Sequence, residues 1–292
     1  AEKNNPRRGF IKKSLITAAG LTIVPGFLFG KDGNIASITK KATQVLSGRD
    51  GLKTVAFICN TYWNLSHADV IGTKLFVGLP TDEGMIPPEV KIVSMWIDQI
   101  GANDTGVRIA RMNGAVVYPT ISEALTLGGD KLAVDGVIYI GEHGEYSKNR
   151  FGEPMYPRMN YLEQIFRVFD ASNKSVPVYS DKHLSYSWLD SKWIYDRAKE
   201  LNVPMMAGSS IPYCWRDPAF EHPIGTKITE AVAIGFSGLT SYGFHACEML
   251  QCMVERRSGG ETGVASVQGL MGDAVWEAMD SGKISEKLVI AA

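Results

Sequence analysis

The pattern that most restricts this chain is a repeat of short, nearly continuous apolar runs, each followed by a stretch of helical periodicity. The runs are Lys53–Cys59 (KTVAFIC), Val90–Ile97 (VKIVSMWI), Val116–Tyr118, Val134–Ile140 (VDGVIYI), Ser175–Tyr179 (SVPVY) and Val203–Ala207 (VPMMA). A strand with little polar alternation must be covered on both faces, as strands of parallel sheets are. Ser66–Gly78, Asp104–Asn113, Ile121–Leu127, Tyr161–Phe169 and Trp188–Leu201 read as the intervening helices, with Leu79–Pro88 a Pro/Gly-rich loop. Strand and helix in regular turn predict an α/β protein, a Rossmann-like doubly wound parallel sheet.

The texture changes past Trp215. Lys227–Phe236 and Gly263–Leu270 suggest strands of a second, α+β domain, with helices over Gly243–Arg257 and near Ala274–Met279. The expected division is a signal segment at 1–30, a linker at 31–50, a Rossmann-like domain at 51–215 and a partial C-terminal domain at 216–292. A start without Met and a stop at Ile290-Ala291-Ala292 without a terminating element make the chain read as a fragment. Thirty basic against 31 acidic residues give a net charge of −1, so no basic field exists to hold a nucleic acid by its phosphates. A hydrophobic share of 45% excludes a disordered chain.

Residues 6–13 (PRRGFIKK) lead into the apolar run Ser14–Gly30. That run falls short of the ~20 residues that cross a bilayer as a helix, and Pro25 and Gly26 interrupt it. Arg7, Arg8, Phe10, Ile11 and Lys12 resemble a twin-arginine export signal. The resemblance implies transfer of the folded protein by the twin-arginine translocon to the periplasm or outside, with retention as an uncleaved anchor compatible with it. A protein folded before export meets a reducing cytosol, so the four cysteines are expected free.

In an open parallel sheet, ligands bind beyond the carboxyl ends of the strands. Asn60, Trp63, Asn64 and His67 follow the first strand, and Asp98 the second. Glu142-His143-Gly144, Asp181-Lys182-His183 and Gly208-Ser209-Ser210 follow later ones. Such groups support proton and hydride management on a polyol or carbonyl substrate. Lys182 suits an acid or base. His245 faces it from a later helix, with Glu248 three residues on to set the His245 tautomer. Glu142, His143, Asp181, His183 and His245 carry donors suited to a divalent metal, but no HExxH-like spacing occurs and no metal is expected. Tyr156, Tyr161, Tyr186, Trp188, Tyr213 and Trp215 crowd the same region and could stack on a sugar ring or stand as packing.

From about Leu52 to Leu270 the order of features resembles the Gfo/Idh/MocA family of sugar and inositol oxidoreductases. Val134-Asp135-Gly136-Val137-Ile138 matches its Asp-X-Val strand, and Val178-Tyr179-Ser180-Asp181-Lys182-His183 stands where a strand ends in Glu-Lys-Pro. Gly243-Phe244-His245-Ala246-Cys247-Glu248 matches its Gly-x-His-x-x-Asp helix. The phrases DKHLSYSW and MAGSS resemble those of an exported bacterial branch. The resemblance implies NAD or NADP as cofactor, with Lys182 and His245 as the acid–base pair and Glu248 as its orienting partner. It implies Asn60, Trp63, Asp98, Glu142 and His143 on the cofactor, and Asp181, His183, Ser209 and Trp215 on a small carbohydrate. Where G-x-G-x-x-G would stand, the chain has Asn60, Tyr62 and Leu65, and a Tyr side chain there is expected to obstruct the pyrophosphate. A second reading is therefore a cofactor-free or metal-assisted lyase, epimerase or hydrolase using Glu142, His143, Asp181 and His183. A third is a non-catalytic carbohydrate-binding protein. Oligomeric state is left open, a homo-oligomer included.

Overall fold

Along Lys53–Cys59 (β1) the side chains alternate between two apolar layers, as a strand's period of two requires. Ala56 and Ile58 face Leu162, Ile165 and Phe166, whereas Phe57 and Cys59 face Phe76 and Met95. All four of these β1 side chains are completely buried. The computed structural model describes residues 51–292, so the expected signal segment and linker lie outside the described residues.

The other strands are Leu79–Thr81 (β2), Gly84–Ile86 (β3), Val90–Ile97 (β4), Val116–Val117 (β5), Gly136–Ile140 (β6), Val178–Asp181 (β7) and Met205–Gly208 (β8). Six of them form one parallel sheet in the order β5-β4-β1-β6-β7-β8. The chain starts at the middle, winds outward through β4 and β5, then returns beside β1 and winds the other way. The expected Rossmann-like α/β fold is therefore the observed one, and its switch point lies between β1 and β6. The expected loop at Leu79–Pro88 instead holds a short exposed hairpin, β2–β3.

Helices α1 (His67–Val77) and α2 (Gly106–Met112) cover one face, and α3 (Ile121–Thr126), α4 (Arg158–Ser172) and α5 (Trp188–Glu200) the other. Their starts are written locally. Ser66 and Ser187 accept from the backbone N–H of Asp69 and Asp190, and Thr120 and Glu123 close a reciprocal pair at α3. Gly72 lets α1 approach the sheet, since a Cβ there would lie 2.9 Å from the Tyr62 hydroxyl and 3.0 Å from Phe57.

Past β8 the chain forms a π-helical turn, Leu239–Gly243, then α6 (Phe244–Val254), α7 (Asp273–Asp280) and α8 (Glu286–Ala291). Lys227–Phe236 and Gly263–Leu270 are not strands; the pairing there is one bridge between Thr226 and Arg257. An alternating apolar pattern becomes a strand only beside a partner, and among the described residues β8 pairs with β7 alone apart from the Lys182 bridge. Ser209 and Ala278 are the only buried side chains described after β8, so the sheet and its helices hold the core.

Candidate active site

The carboxyl ends of β1, β6, β7 and β8 place their following residues around one edge. Asn60, directly after β1, is fully buried and donates from Nδ2 to the His143 carbonyl at 3.3 Å; its Oδ1 has no partner among the described residues. After β6 the backbone turns sharply, with His143 at φ 65° and Gly144 at φ 99°. Glu142 is buried there between two cations. Its Oε1 bonds the guanidinium of Arg158, and its Oε2 accepts from Lys182 Nζ at 3.1 Å. Burial pushes the Glu142 carboxyl upward, but Arg158 and then Lys182 outweigh it and hold it below the usual glutamate range.

Arg158 opens α4 with no solvent exposure, and also donates to the carbonyls of Asp181 at 2.8 Å and His183 at 2.9 Å. One guanidinium thus locks the β6 carboxylate to the β7 loop. Asp181, the last residue of β7, is buried and pairs through Oδ2 with His67 Nδ1 at 2.6 Å. Lys182 follows at φ 63°, held by its N–H on the Gly208 carbonyl at 2.9 Å. That left-handed conformation costs an L-residue roughly 1–2 kcal/mol, and such strain gathers at functional sites.

His245 comes from α6. Its Nδ1 lies 2.5 Å from Ser209 Oγ, and Ser209 Oγ accepts the Ile211 N–H at 3.0 Å. Glu248 accepts the Ser209 N–H at 3.2 Å, so Ser209, not Glu248, is the group that orients His245. The sequence spacing correctly put His245 and Glu248 on one side, but β8 presents Ser209 between them. Burial, then the charges of Lys182 and His67, lower the His245 pKa. His143 is lowered by burial and then by His67. His183 is lowered to about 4 by burial and then by Arg158; its ring stands edge-on to Phe244 at 5.6 Å, a packing role beside the expected substrate contact.

The structure brings together Asn60, Glu142, His143, Asp181 and Lys182, and joins Ser209, His245 and Glu248 beside them. Trp63 stacks obliquely on His143 at 5.1 Å. Trp215 is fully exposed and makes no aromatic pair there. Tyr161 is a core residue against Trp96 and Tyr139. Two residues gained a role that sequence reasoning did not assign. His67 stood among the groups after the first strand, yet its Asp181 partner is 114 positions away. Arg158 had one signal, a cation in the first turn of a helix, where the macrodipole disfavours it. No group of three or more His, Cys, Asp or Glu that could hold a metal ion occurs among the described residues.

A dinucleotide needs free amides at the β1–α1 turn to meet its pyrophosphate. Here Trp63 N–H donates to Ser66 Oγ at 3.2 Å and Leu65 N–H to Asp69 Oδ2 at 2.8 Å. Ser66 Oγ also takes the Asp69 N–H. A carboxylate therefore already serves the place a diphosphate would take. Tyr62 is not the obstruction expected: it is turned inward, buried, with its hydroxyl 2.9 Å from Thr73 Oγ1. On the ribose side, Asp98 Oδ2 accepts from the Tyr146 hydroxyl at 2.7 Å. Gln99 clasps the backbone of Glu145, so residues 143–146 run across the ends of β1 and β4. These residues do not fit NAD or NADP bound in the Rossmann mode.

Strand order and edge define a doubly wound α/β protein of Rossmann type. No protein-family model matches the chain, and no curated protein matches it. Among solved structures it is similar to a dehydrogenase (MviM) from Clostridium difficile, at 9% identity and TM-score 0.33, over 55% of this chain and 39% of that one. The UDP-N-acetylglucosamine 3-dehydrogenase GnnA from Acidithiobacillus ferrooxidans matches at 11% identity and TM-score 0.35, over 59% and 45%. GenD2 from gentamicin A biosynthesis, solved in complex with NAD, matches at 15% identity and TM-score 0.42, over 70% and 54%. The chain thus spans about half or less of the length of these three proteins.

Proposed function

We propose that the protein is a Gfo/Idh/MocA-like enzyme that acts on a sugar or sugar derivative by proton transfer, without a bound nicotinamide nucleotide. The observation that supports this reading is the contrast along one sheet edge. The pyrophosphate turn is occupied by Ser66 and Asp69, while Lys182 and the His67–Asp181 pair stand ready for chemistry. Asp181 holds the proton of His67 on Nδ1, which leaves Nε2 as a base. That nitrogen takes a proton from a carbon beside a carbonyl or from a hydroxyl. The Lys182 ammonium, paired with Glu142, stabilises the oxyanion that forms. His245, oriented by Ser209, is the second acid–base group; reprotonation there from the other side gives an epimer, and loss of a β-hydroxyl gives an elimination product. A carbohydrate ligand and export through the twin-arginine route belong to the same proposal.

The alternative, NAD(P)-linked oxidation of a secondary hydroxyl, is favoured by the strand order and by a lysine at the end of β7. Solvent exchange separates the two. Incubated in D2O with a panel of aldoses, ketoses and uronic acids and no nucleotide, the protein should exchange a substrate C–H, read by NMR. Lys182→Met and His67→Ala should each slow exchange at least a hundredfold. Release of NAD(H) or NADP(H) on denaturation, with no exchange in its absence, would establish the alternative instead.

A further inference from the structure

Beside the edge cluster lies a cleft of about 530 Å³ between α5, β8 and α6. That volume is in the range of small-molecule pockets. Its inner end is made by Lys182 and Glu248, both members of the site described above. From there Ala207, Met205, Val203 and Ala198 give it an apolar floor, and Phe244 lines it from α6. Lys199 and Tyr195 also line it from α5, with Lys199 Nζ 4.5 Å from the Tyr195 ring centroid. The cleft follows β8 from its carboxyl end toward its start and on to Val203, and four residue steps at ~3.3 Å each span ~13 Å. A free monosaccharide would reach the polar end and leave that floor in water.

We infer that this cleft is an aglycone subsite, so that the substrate is a uronic acid glycoside with an apolar aglycone ~13 Å long, its sugar at Lys182 with C5–H beside the carboxyl carbon, and its apolar body along Ala207, Met205 and Val203. The inference rests on the carbohydrate reading above and names its substrate class. It follows from continuity: Lys182 belongs both to the ion pair with Glu142 and to the cleft wall, so a ligand engaged at its Nζ has its next atoms over the floor. Burying an aromatic aglycone contributes favourably in proportion to the apolar area removed from water. The Lys199–Tyr195 pair would cover it at the far end.

Calorimetry on the full chain tests this with methyl and 4-methylumbelliferyl β-glycosides of glucuronic acid and galacturonic acid, whose C5–H lies beside the carboxyl carbon, and with 4-methylumbelliferone alone. The aryl glycoside of at least one sugar should bind tenfold or more tighter than its methyl counterpart. Ala207→Trp, at an exposed position where added bulk disturbs no core, should bring that ratio close to one; circular dichroism checks its fold. Equal affinity of aryl and methyl glycosides overturns the subsite while leaving the carbohydrate reading intact, as does a ratio unmoved by Ala207→Trp. Binding of the aglycone alone, abolished by Ala207→Trp and with no contribution from any sugar, overturns the glycoside assignment and the carbohydrate reading together.

Discussion

His183 shows how one residue couples the edge to pH. Its ring packs against Phe244, its Nδ1 is buried without a partner among the described residues, and its pKa is lowered to about 4 by burial and then by Arg158. In the unfolded chain the same imidazole titrates near 6.5. The unfolded state therefore binds the extra proton first as pH falls. The stability held by neutral His183 is complete above about 6.5, is lost between there and about 4, and is constant below. The total is on the order of 3 kcal/mol, since one pKa unit is about 1.4 kcal/mol. His143 and His245 are lowered too and act in the same direction. Urea midpoints of the parent should accordingly fall from pH 7 to pH 4.5, and His183→Gln should flatten that dependence; an equal slope in the variant would show that His183 is not a source of it. Lys182, by contrast, was readable in sequence as a strand-end lysine, but its left-handed backbone and its seat on Glu142 were not. Those depend on a Gly208 carbonyl and a β6 carboxylate that sequence places 26 and 40 positions away.

Among the elements, α1 carries the tightest join to the sheet. Gly72 packs where Tyr62 and Phe57 leave no room for a methyl group. In a Rossmann turn a glycine of the phosphate loop allows that close approach; here the glycine lies in the helix and the turn holds Tyr62, Trp63 and Leu65 instead. Gly72→Ala should lower stability by about 1–3 kcal/mol, the overpacking cost outweighing the better helix propensity of alanine. Chemical denaturation measures it, and a stabilised variant would refute the close contact. Strands β1, β4, β6 and β7 and helices α1 and α5 were legible because continuous apolar runs and Ser caps are local signals. The expected strands at Lys227–Phe236 and Gly263–Leu270 were misread because alternation alone cannot supply a pairing edge.

At the scale of the whole molecule, the sheet domain and the helices after β8 meet at the site edge, Ser209 with His245 and Glu248 and His183 with Phe244. Of the two histidines in the proposal, His245 therefore reaches the edge across this join, whereas His67 pairs with Asp181 within the sheet domain. With Arg7→Lys and Arg8→Lys together, the protein should stay in the cytoplasm of an expressing bacterium while the parent reaches the periplasm, measured by fractionation and blotting; unchanged export of the double variant would remove the twin-arginine reading.

By itself the sequence determined the doubly wound sheet, because strand and helix periodicities and caps act within a few residues, and it determined which titratable groups stand at strand ends. It also showed that the glycine-rich turn is not there. Tertiary structure alone decided what replaces it. Ser66 and Asp69 close the turn, Tyr146 takes Asp98, Arg158 neutralises Glu142, and Asp181 reaches across to His67. The Asp98–Tyr146 and His67–Asp181 pairs join residues brought together only by the order β5-β4-β1-β6-β7-β8, and charge pairing at that edge has no period that a linear pattern could display.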